Sequence, residues 1–510
     1  MPPKRKRHYD LDFTLRRVFG KRSFRPLQRE VITATLEGED VYLQAATSFG
    51  KSLCYQLPAI VDYGSKCILC SKFRPSSWYI PPLRYWLKVT FTIVISPLLA
   101  LMNNQVAALK KAHIRVETIN STTTPSAKKS IIEDLQCGHP RIRLLYVTPE
   151  YCEGDYFRRI LTIIHQHQEL ARIAIDEAHC ISEWGHDFRP SFKSLSFFKE
   201  KFPDVPMICL TATATSHVRT DIIKMLNLDE SKLRTFSMST SRPNIHYEIR
   251  FKSEDLDAQY KNFLKFLGEI YARRATPERE AQLKEKGERV NGVSGIIYTL
   301  LRKDCEKLAQ QLRADGIGAK PYHAGLPHTE RADALAGWVD SREGYDIIVA
   351  TTAFGMGIDK DNVRFVVHWQ IPKSFEGYYQ EAGRAGRDGK SSRCILYYAR
   401  EDRERAITMM SLDRQRVPSK GASVESLQRQ LEMRGKSFQK LVNYCESTRA
   451  CRHKMISEYF GDVEKPVCDY ACDWCKDPVE LVKRKEKGLA SEEWCSTQRE
   501  MGRYQMDEYE

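Results

Sequence analysis

Residues 41–52 read VYLQAATSFGKS, and their order suggests a short buried strand, a turn of small residues and the start of a helix. LCYQLPAIV at 53–61 follows, long enough and apolar enough to continue that helix. Small residues in such a turn let backbone N–H groups wrap an anion, and the positive end of the following helix adds to the attraction. In that arrangement Lys51 meets the β and γ oxygens of a nucleoside triphosphate, Ser52 ligates Mg²⁺, and Thr47, Ser48 and Gly50 shape the cradle. Ala45 stands at the first loop position, where the usual pattern has glycine. The reading therefore rests on GKS and on the strand before it.

A second apolar run, IAIDEAH at 173–179, ends in Asp176, Glu177 and His179. Strands of a parallel sheet end along one edge, so these groups are expected beside the phosphate-binding turn. Asp176 would hold Mg²⁺ through water, Glu177 would polarise the attacking water, and His179 would sense the γ-phosphate. Each motif alone has a plainer account, an ordinary turn or an acidic helix start. Their joint occurrence in this order gives them weight. Upstream, FRPLQ at 24–28 offers Gln28 to read adenine and Arg25 to stack on it; otherwise it is a helix start. Downstream, QEAGRAGR at 380–387 presents Arg384 and Arg387. Charge building on a transferring phosphoryl group needs such cations, supplied across a cleft. The plain alternative is a solvated basic helix.

Short apolar runs recur further out: TIVIS at 92, LLYVT at 144, MICLTAT at 207, then GIIYT at 295, DIIVATT at 346, RFVVHW at 364 and CILYY at 394. Alternation with longer amphipathic stretches predicts an α/β fold of parallel sheets covered by helices on both faces. The rhythm pauses near residues 238–244, at STSRPN, which divides the run into two halves, 11–240 and 241–400. Residues 65–91, rich in Pro, Trp, Tyr and basic side chains without a period, read as an insertion into the first half. The charged stretch 271–292 reads as a helical excursion in the second. Residues 401–478 turn helical and then cysteine-rich, residues 479–510 read as a polar tail, and residues 1–10 as a basic one.

The chain has 510 residues, 42% hydrophobic and 29% charged, with 80 Lys and Arg against 66 Asp and Glu. That length suits several folded domains, and the excess of 14 positive charges favours a polyanionic partner. The charge-free run 89–109 has membrane length, but Ser96, Pro97, Asn103, Asn104 and Gln105 break it. No membrane association is expected. Fifteen cysteines with no secretory signal ahead of them are too sparse for a disulfide framework and are expected to be reduced. PPKRKRH at 2–8 is either a nuclear import signal or a solvated tail.

Four of the cysteines, Cys451, Cys468, Cys472 and Cys475, stand at a C-x16-C-x3-C-x2-C spacing. Four thiolates suit a closed tetrahedral Zn²⁺ site, structural rather than catalytic. Cys445 is the runner-up ligand and is read as a packing thiol. Cys67 and Cys70 have no partner pair nearby.

With FRPLQ, the GKS turn, SPLLALMNNQV at 96, YVTPE at 146, DEAHCISEWGHDFRP at 176, LTATAT at 210, SRPN at 241, YHAGL at 322, ATTAFGMGIDK at 350 and YYQEAGRAGRDG at 378, the chain resembles the RecQ family of superfamily-two DNA helicases over residues 11–478. The resemblance implies two tandem RecA-like lobes followed by a small helical zinc-binding subdomain. It implies that Trp184, Phe188 and Arg189 belong to an aromatic-rich loop linking bound single-stranded DNA to ATP hydrolysis, stacking on bases without regard to sequence. Thr211 and Thr213 would couple the ATP site to the strand, Gly357 and Asp359 would line it from the second lobe, and Arg387 would be the arginine finger with Arg384 in support.

The same resemblance implies an ATP-dependent helicase that uses ATP, Mg²⁺ and Zn²⁺, translocates 3′ to 5′ on single-stranded DNA, and unwinds duplex DNA in repair or recombination in the nucleus. Residues 65–91 depart from the family and are read as a retained intron or, alternatively, a surface loop. Ser48 and Asn104 stand where many relatives have Gly and Asp. The winged-helix and helical accessory modules of longer relatives are not expected. Two rival readings remain at this level: a catalytically degenerate DNA-binding scaffold and an RNA-remodelling ATPase.

Overall fold

The computed structural model describes residues 10–46, 49–64, 90–182, 189–252, 256–355, 358, 360–416, 424–462 and 464–490. The chain forms two compact units that meet between Ser239 and Thr240.

The first unit is built on seven strands: β1 (Val41–Gln44), β2 (Phe91–Ile95), β3 (Val116–Ile119), β4 (Leu144–Val147), β5 (Leu170–Ile175), β6 (Met207–Thr211) and β7 (Arg234–Ser237). They lie in the order β3-β4-β2-β5-β6-β1-β7, all pairs parallel. Alternate residues of the central strands feed two separate cores. Ile93, Ile95, Ile173, Ile175, Met207 and Cys209 pack on one face, and Val94, Ala174, Ile208, Leu210, Val41 and Leu43 on the other. Burial on both faces explains why these strands read as unbroken apolar runs, each fully buried aliphatic side chain contributing ~1.5–3 kcal/mol. Edge strand β7 is instead largely exposed, and its arginine and hydroxyl side chains suit that position.

The second unit carries six parallel strands: β8 (Ile245–Phe251), β9 (Gly295–Tyr298), β10 (Ala319–Tyr322), β11 (Ile347–Ala350), β12 (Phe365–His368) and β13 (Ser392–Tyr398), in the order β10-β11-β9-β12-β13-β8. One face is covered by the helices Leu256–Arg274 and Arg302–Ala314 through Phe263, Phe266, Leu308 and Leu312. The other face shares a single core with the helices beyond residue 400, which supply Phe438, Leu441, Tyr444, Ile456 and Phe460. The cysteine-rich segment also covers the outer edge of β8. Tyr247 N–H donates to Ala471 O at 3.1 Å, and Ile249 N–H donates to Asp473 Oδ2 at 2.9 Å.

Three sequence readings change in detail. Residues 65–89 lie outside the described residues, and Phe91, read as the end of the insertion, opens β2 and is fully buried. The polar tail begins as the helix Pro478–Ala490, whose Leu481 and Leu489 are buried. The charged stretch 271–292 spans the end of the helix Leu256–Arg274 and the helix Pro277–Glu285. Arg274 within it is buried and donates to the Arg289 and Val290 carbonyls. Among the described residues no helix is long and apolar enough to cross a membrane.

Candidate functional site

Four neighbouring strands of the first sheet, β2, β5, β6 and β1, end along one edge, and the chain is stitched there by its own backbone. Asp176 N–H donates to Ile95 O at 2.9 Å, and Ala45 N–H donates to Thr211 O at 3.1 Å. The motifs at 45–52, 96–97, 176–179 and 211–213 therefore meet at strand ends, where open parallel sheets place their ligands.

Lys51 is buried, its ammonium donating to Ala45 O at 3.0 Å. Ser52 opens the helix that runs on through Leu53–Gly64, its carbonyl accepting from Gln56 N at 3.0 Å. Gly50 sits at φ +78°, a left-handed conformation that suits glycine. Gln28 closes over this turn: its Nε2 donates to Phe49 O at 2.8 Å and Gly50 O at 3.3 Å, and its Oε1 accepts from Arg25 N at 2.9 Å. The amide thus braces the turn, and reading adenine would exchange some of these bonds. The Arg25 side chain is exposed. Thr47 and Ser48 lie outside the described residues.

Asp176 is buried, with Oδ1 accepting from Glu177 N at 3.1 Å and Oδ2 lying 3.4 Å from the Tyr55 hydroxyl. Burial, reinforced by the Glu177 charge and opposed by Lys51, pushes its carboxyl up to about 7. A divalent cation is the natural partner of a carboxylate so placed. Glu177 is itself left-handed at φ +52°, a strained conformation for a side chain of this kind, and such strain clusters at functional sites. His179 is fully buried; its Nδ1 lies 3.0 Å from Thr211 Oγ1 and 3.4 Å from Glu177 Oε2. Thr211 Oγ1 in turn accepts from Thr213 N at 3.2 Å. The residues singled out at 177, 179, 211 and 213 form one continuous polar chain.

A network not read from the sequence flanks this chain. Tyr55 and Tyr146 hydroxyls both donate to Gln105 Oε1 at 2.8 Å, and Gln56 Nε2 donates to the Tyr146 hydroxyl at 3.0 Å. It ties Asp176 to the helix Leu99–Lys111. Its members are scattered in the sequence, Tyr55 and Gln56 inside the apolar run 53–61, Gln105 in SPLLALMNNQV and Tyr146 in YVTPE, and nothing local joins them. Arg189 donates to Pro97 O at 2.8 Å, fastening the segment after DEAH to the end of β2. Trp184 and Phe188 lie outside the described residues.

In the second unit, Arg384 is buried beside the Tyr298 phenol, whose rise on burial it opposes. Arg387 is half-buried and donates to Ile358 O at 2.8 Å. Gly357 and Asp359, on either side of that carbonyl, lie outside the described residues. Both arginines stand on the turn after the helix Phe375–Ala382.

Cys451, Cys468, Cys472 and Cys475 bring their Sγ atoms within 4.8 Å of one another, close to the ~3.8 Å spacing of four sulfurs around tetrahedral zinc. The Cys472 thiol, ahead of the other thiols, draws Cys451 down, while burial pushes Cys468 and Cys475 up, so one thiol of the four is held as the thiolate. These residues fit Zn²⁺. Cys445 lies outside the group, buried among Tyr378 and Tyr444 as a packing thiol.

The three parts match three family models in turn. Residues 25–221 match the DEAD/DEAH box helicase model, residues 278–389 the helicase conserved C-terminal domain, and residues 400–476 the RecQ zinc-binding model. The chain belongs to the RecQ helicase family. Its RecQ relatives include mouse ATP-dependent DNA helicase Q5, 37% identical over 490 residues, covering 95% of this chain and 45% of that protein. Others are the Caenorhabditis elegans RecQ-like DNA helicase blm-1, 36% identical over 93% of this chain and 42% of that protein, and Saccharomyces cerevisiae ATP-dependent helicase SGS1, 36% identical over 92% and 28%. The chain thus spans less than half the length of these relatives. Among solved structures, the helicase MrfA bound to DNA aligns at a TM-score of 0.56 with 17% identity, covering 85% of this chain and 54% of that one. The DEAD-box helicase Mss116 bound to single-stranded RNA aligns at 0.55 with 15% identity, covering 85% and 90%. At these identities the structural likeness speaks for the two-lobed fold alone.

Proposed function

We propose that this RecQ-family chain is an ATP-dependent DNA helicase that translocates 3′ to 5′ on single-stranded DNA and separates duplex DNA in repair or recombination in the nucleus. The observation that carries the reading is the line of polar groups beside buried Lys51 and Asp176, in which Glu177 lies 3.4 Å from His179, His179 bonds to Thr211 and Thr211 to Thr213. It gives a hydrolytic site a physical line to the segments assigned to DNA.

Lys51 binds the β and γ oxygens, and the backbone of the turn at 45–50 orients them. Asp176 and the Ser52 hydroxyl would hold Mg²⁺, whose chemistry there would be neutralisation of phosphate charge. Glu177 orients the attacking water and takes up its proton, and His179 fixes the Glu177 carboxylate against Thr211. Arg387, carried by the second unit and supported by Arg384, meets the charge that builds on the transferred phosphoryl group. Arg25 and Gln28 serve the base. Gly357 and Asp359 line the same nucleotide, while Trp184, Phe188 and Arg189 carry strand occupancy to it. The retained acid–base set speaks against a degenerate scaffold, and the CISEWGHDFRP run after DEAH against an RNA-remodelling ATPase.

ATP turnover with single-stranded DNA or RNA as activator, and unwinding of 3′-tailed against 5′-tailed duplexes, test the reading. Stimulation by DNA and unwinding of the 3′-tailed substrate alone are expected. Lys51→Ala should abolish turnover while retaining DNA binding. Turnover unchanged by Lys51→Ala would overturn the site assignment.

A further inference from the structure

The turn that carries Arg384 and Arg387 is held by two side chains from the start of the second unit. Arg242 is buried, and its guanidinium grips three successive parts of the turn. Nη1 donates to Gly383 O at 3.4 Å, and Nη2 to Ala385 O at 3.0 Å and Gly386 O at 2.9 Å. Asn244 adds Nδ2 bonds to Gly386 O at 2.9 Å and Lys390 O at 3.1 Å. Carbonyls left behind where a helix ends are ordinarily satisfied by water or by a local turn. Here a charged fork from about 140 residues away in sequence satisfies them, with charge-assisted bonds that fix direction as well as distance.

Two further features tighten the grip on the turn. Gly386, between the arginines, sits at φ +55°, and a Cβ there would fall 2.6 Å from Asn244 Nδ2 and 2.7 Å from Ser392 Oγ. The grip is anchored in its turn. Asp462 Oδ2 accepts from Thr240 N at 2.7 Å and Thr240 Oγ1 at 2.8 Å, and the Tyr379 hydroxyl donates to Thr240 O at 2.9 Å.

We infer that Arg242, assisted by Asn244, is a positioning residue for ATP hydrolysis: it sets the place of the Arg387 guanidinium without itself touching nucleotide. This rests on the assignment of Arg387 to the transferred phosphoryl group. Displacing a catalytic group by about 1 Å can cost about 10²-fold in rate. Arg242→Lys keeps the charge but replaces a planar fork with one point donor, which cannot span three carbonyls.

The test is steady-state ATP turnover, saturated with single-stranded DNA, by the full chain and five variants: Arg242→Lys, Asn244→Ala, Arg387→Ala, the fallback double variant Asn244→Ala/Arg387→Ala and the principal double variant Arg242→Lys/Arg387→Ala. Arg242→Lys should lower kcat by about tenfold or more with KM for ATP within about threefold, and the double variant should be no slower than Arg387→Ala, because the two act as one unit. Asn244→Ala, which loses the lesser grip, should show a smaller loss of the same kind and carries the test, with its own pairing to Arg387→Ala, if Arg242→Lys does not fold. A native kcat in Arg242→Lys, or losses that multiply in the double variant, would overturn the positioning role while a slow Arg387→Ala leaves the site intact. A native rate in Arg387→Ala would overturn the arginine assignment and this inference with it.

Discussion

The phosphate-turn corner of the first unit and the arginine turn of the second are stabilised in opposite ways. In the first, the candidate side chains stand at the ends of adjacent strands and meet one another: Glu177 lies 3.4 Å from His179, His179 bonds to Thr211, and the Tyr55 hydroxyl lies 3.4 Å from Asp176. In the second, they project from a turn whose backbone is gripped by Arg242 and Asn244. The first corner is rigid because a sheet fixes it, and the second because a distant residue does. A site of the second kind is open to adjustment through its grip.

Metal removal should separate the two regions most widely. The zinc ligands share a core with the second sheet, and structural zinc sites in small domains are worth ~10–16 kcal/mol of folding energy. Stringent chelation should remove about one equivalent of zinc and unfold the second unit, while amide exchange over β1 to β7 stays protected. Retained structure in β8 to β13 after metal loss would break the contrast. Next in size is Arg387→Ala, expected to slow DNA-stimulated ATP turnover by about 10³-fold with the melting temperature unchanged. Arg452→Ala tests the second unit's fold. The buried Arg452–Asp473 pair at 2.8 Å leaves an uncompensated carboxylate when cut, so denaturant unfolding should show a loss of about 3–5 kcal/mol. The smallest expected effect is Tyr55→Phe, which removes one hydroxyl bridging Asp176 and Gln105. A loss of about 1 kcal/mol in stability and a modest change in kcat would fit a brace, whereas complete inactivity would make Tyr55 part of the chemistry.

What could be read from the sequence follows from the same contrast. The turn at 41–52 and the DEAH segment are contiguous stretches in which strand, turn and chemistry share a dozen letters. The four zinc ligands are legible for a similar reason, since thiols at those spacings have few other uses in a reduced protein. Arg242 was visible only as a letter in SRPN, because its partners lie 141 to 144 positions away and nothing local marks it as a brace. The helix Pro478–Ala490 is illegible in the sequence for another reason: Leu481 and Leu489 are two apolar positions among mostly charged residues, beside exposed Val479 and Val482, and only docking gives them value. Gln28 shows a third limit. A glutamine reads equally well as a base-recognising amide or as a bracket for carbonyls, and its orientation is set by the Phe49 carbonyl, 21 positions away, as well as by the nearby Arg25 N–H.

The outer border of β8 has a consequence for handling the protein. Ile245, Tyr247 and Ile249 alternate along an edge strand whose Tyr247 and Ile249 N–H groups bond to residues flanking the zinc ligands, with Arg484 of the helix Pro478–Ala490 pairing to Glu248 beside them. Stripping the metal would lift that cap and leave an apolar, hydrogen-bond-hungry ribbon ready to recruit the same ribbon of another molecule. Demetallated preparations should accordingly lose monomer to oligomers and precipitate, a colloidal fate set by one small loop.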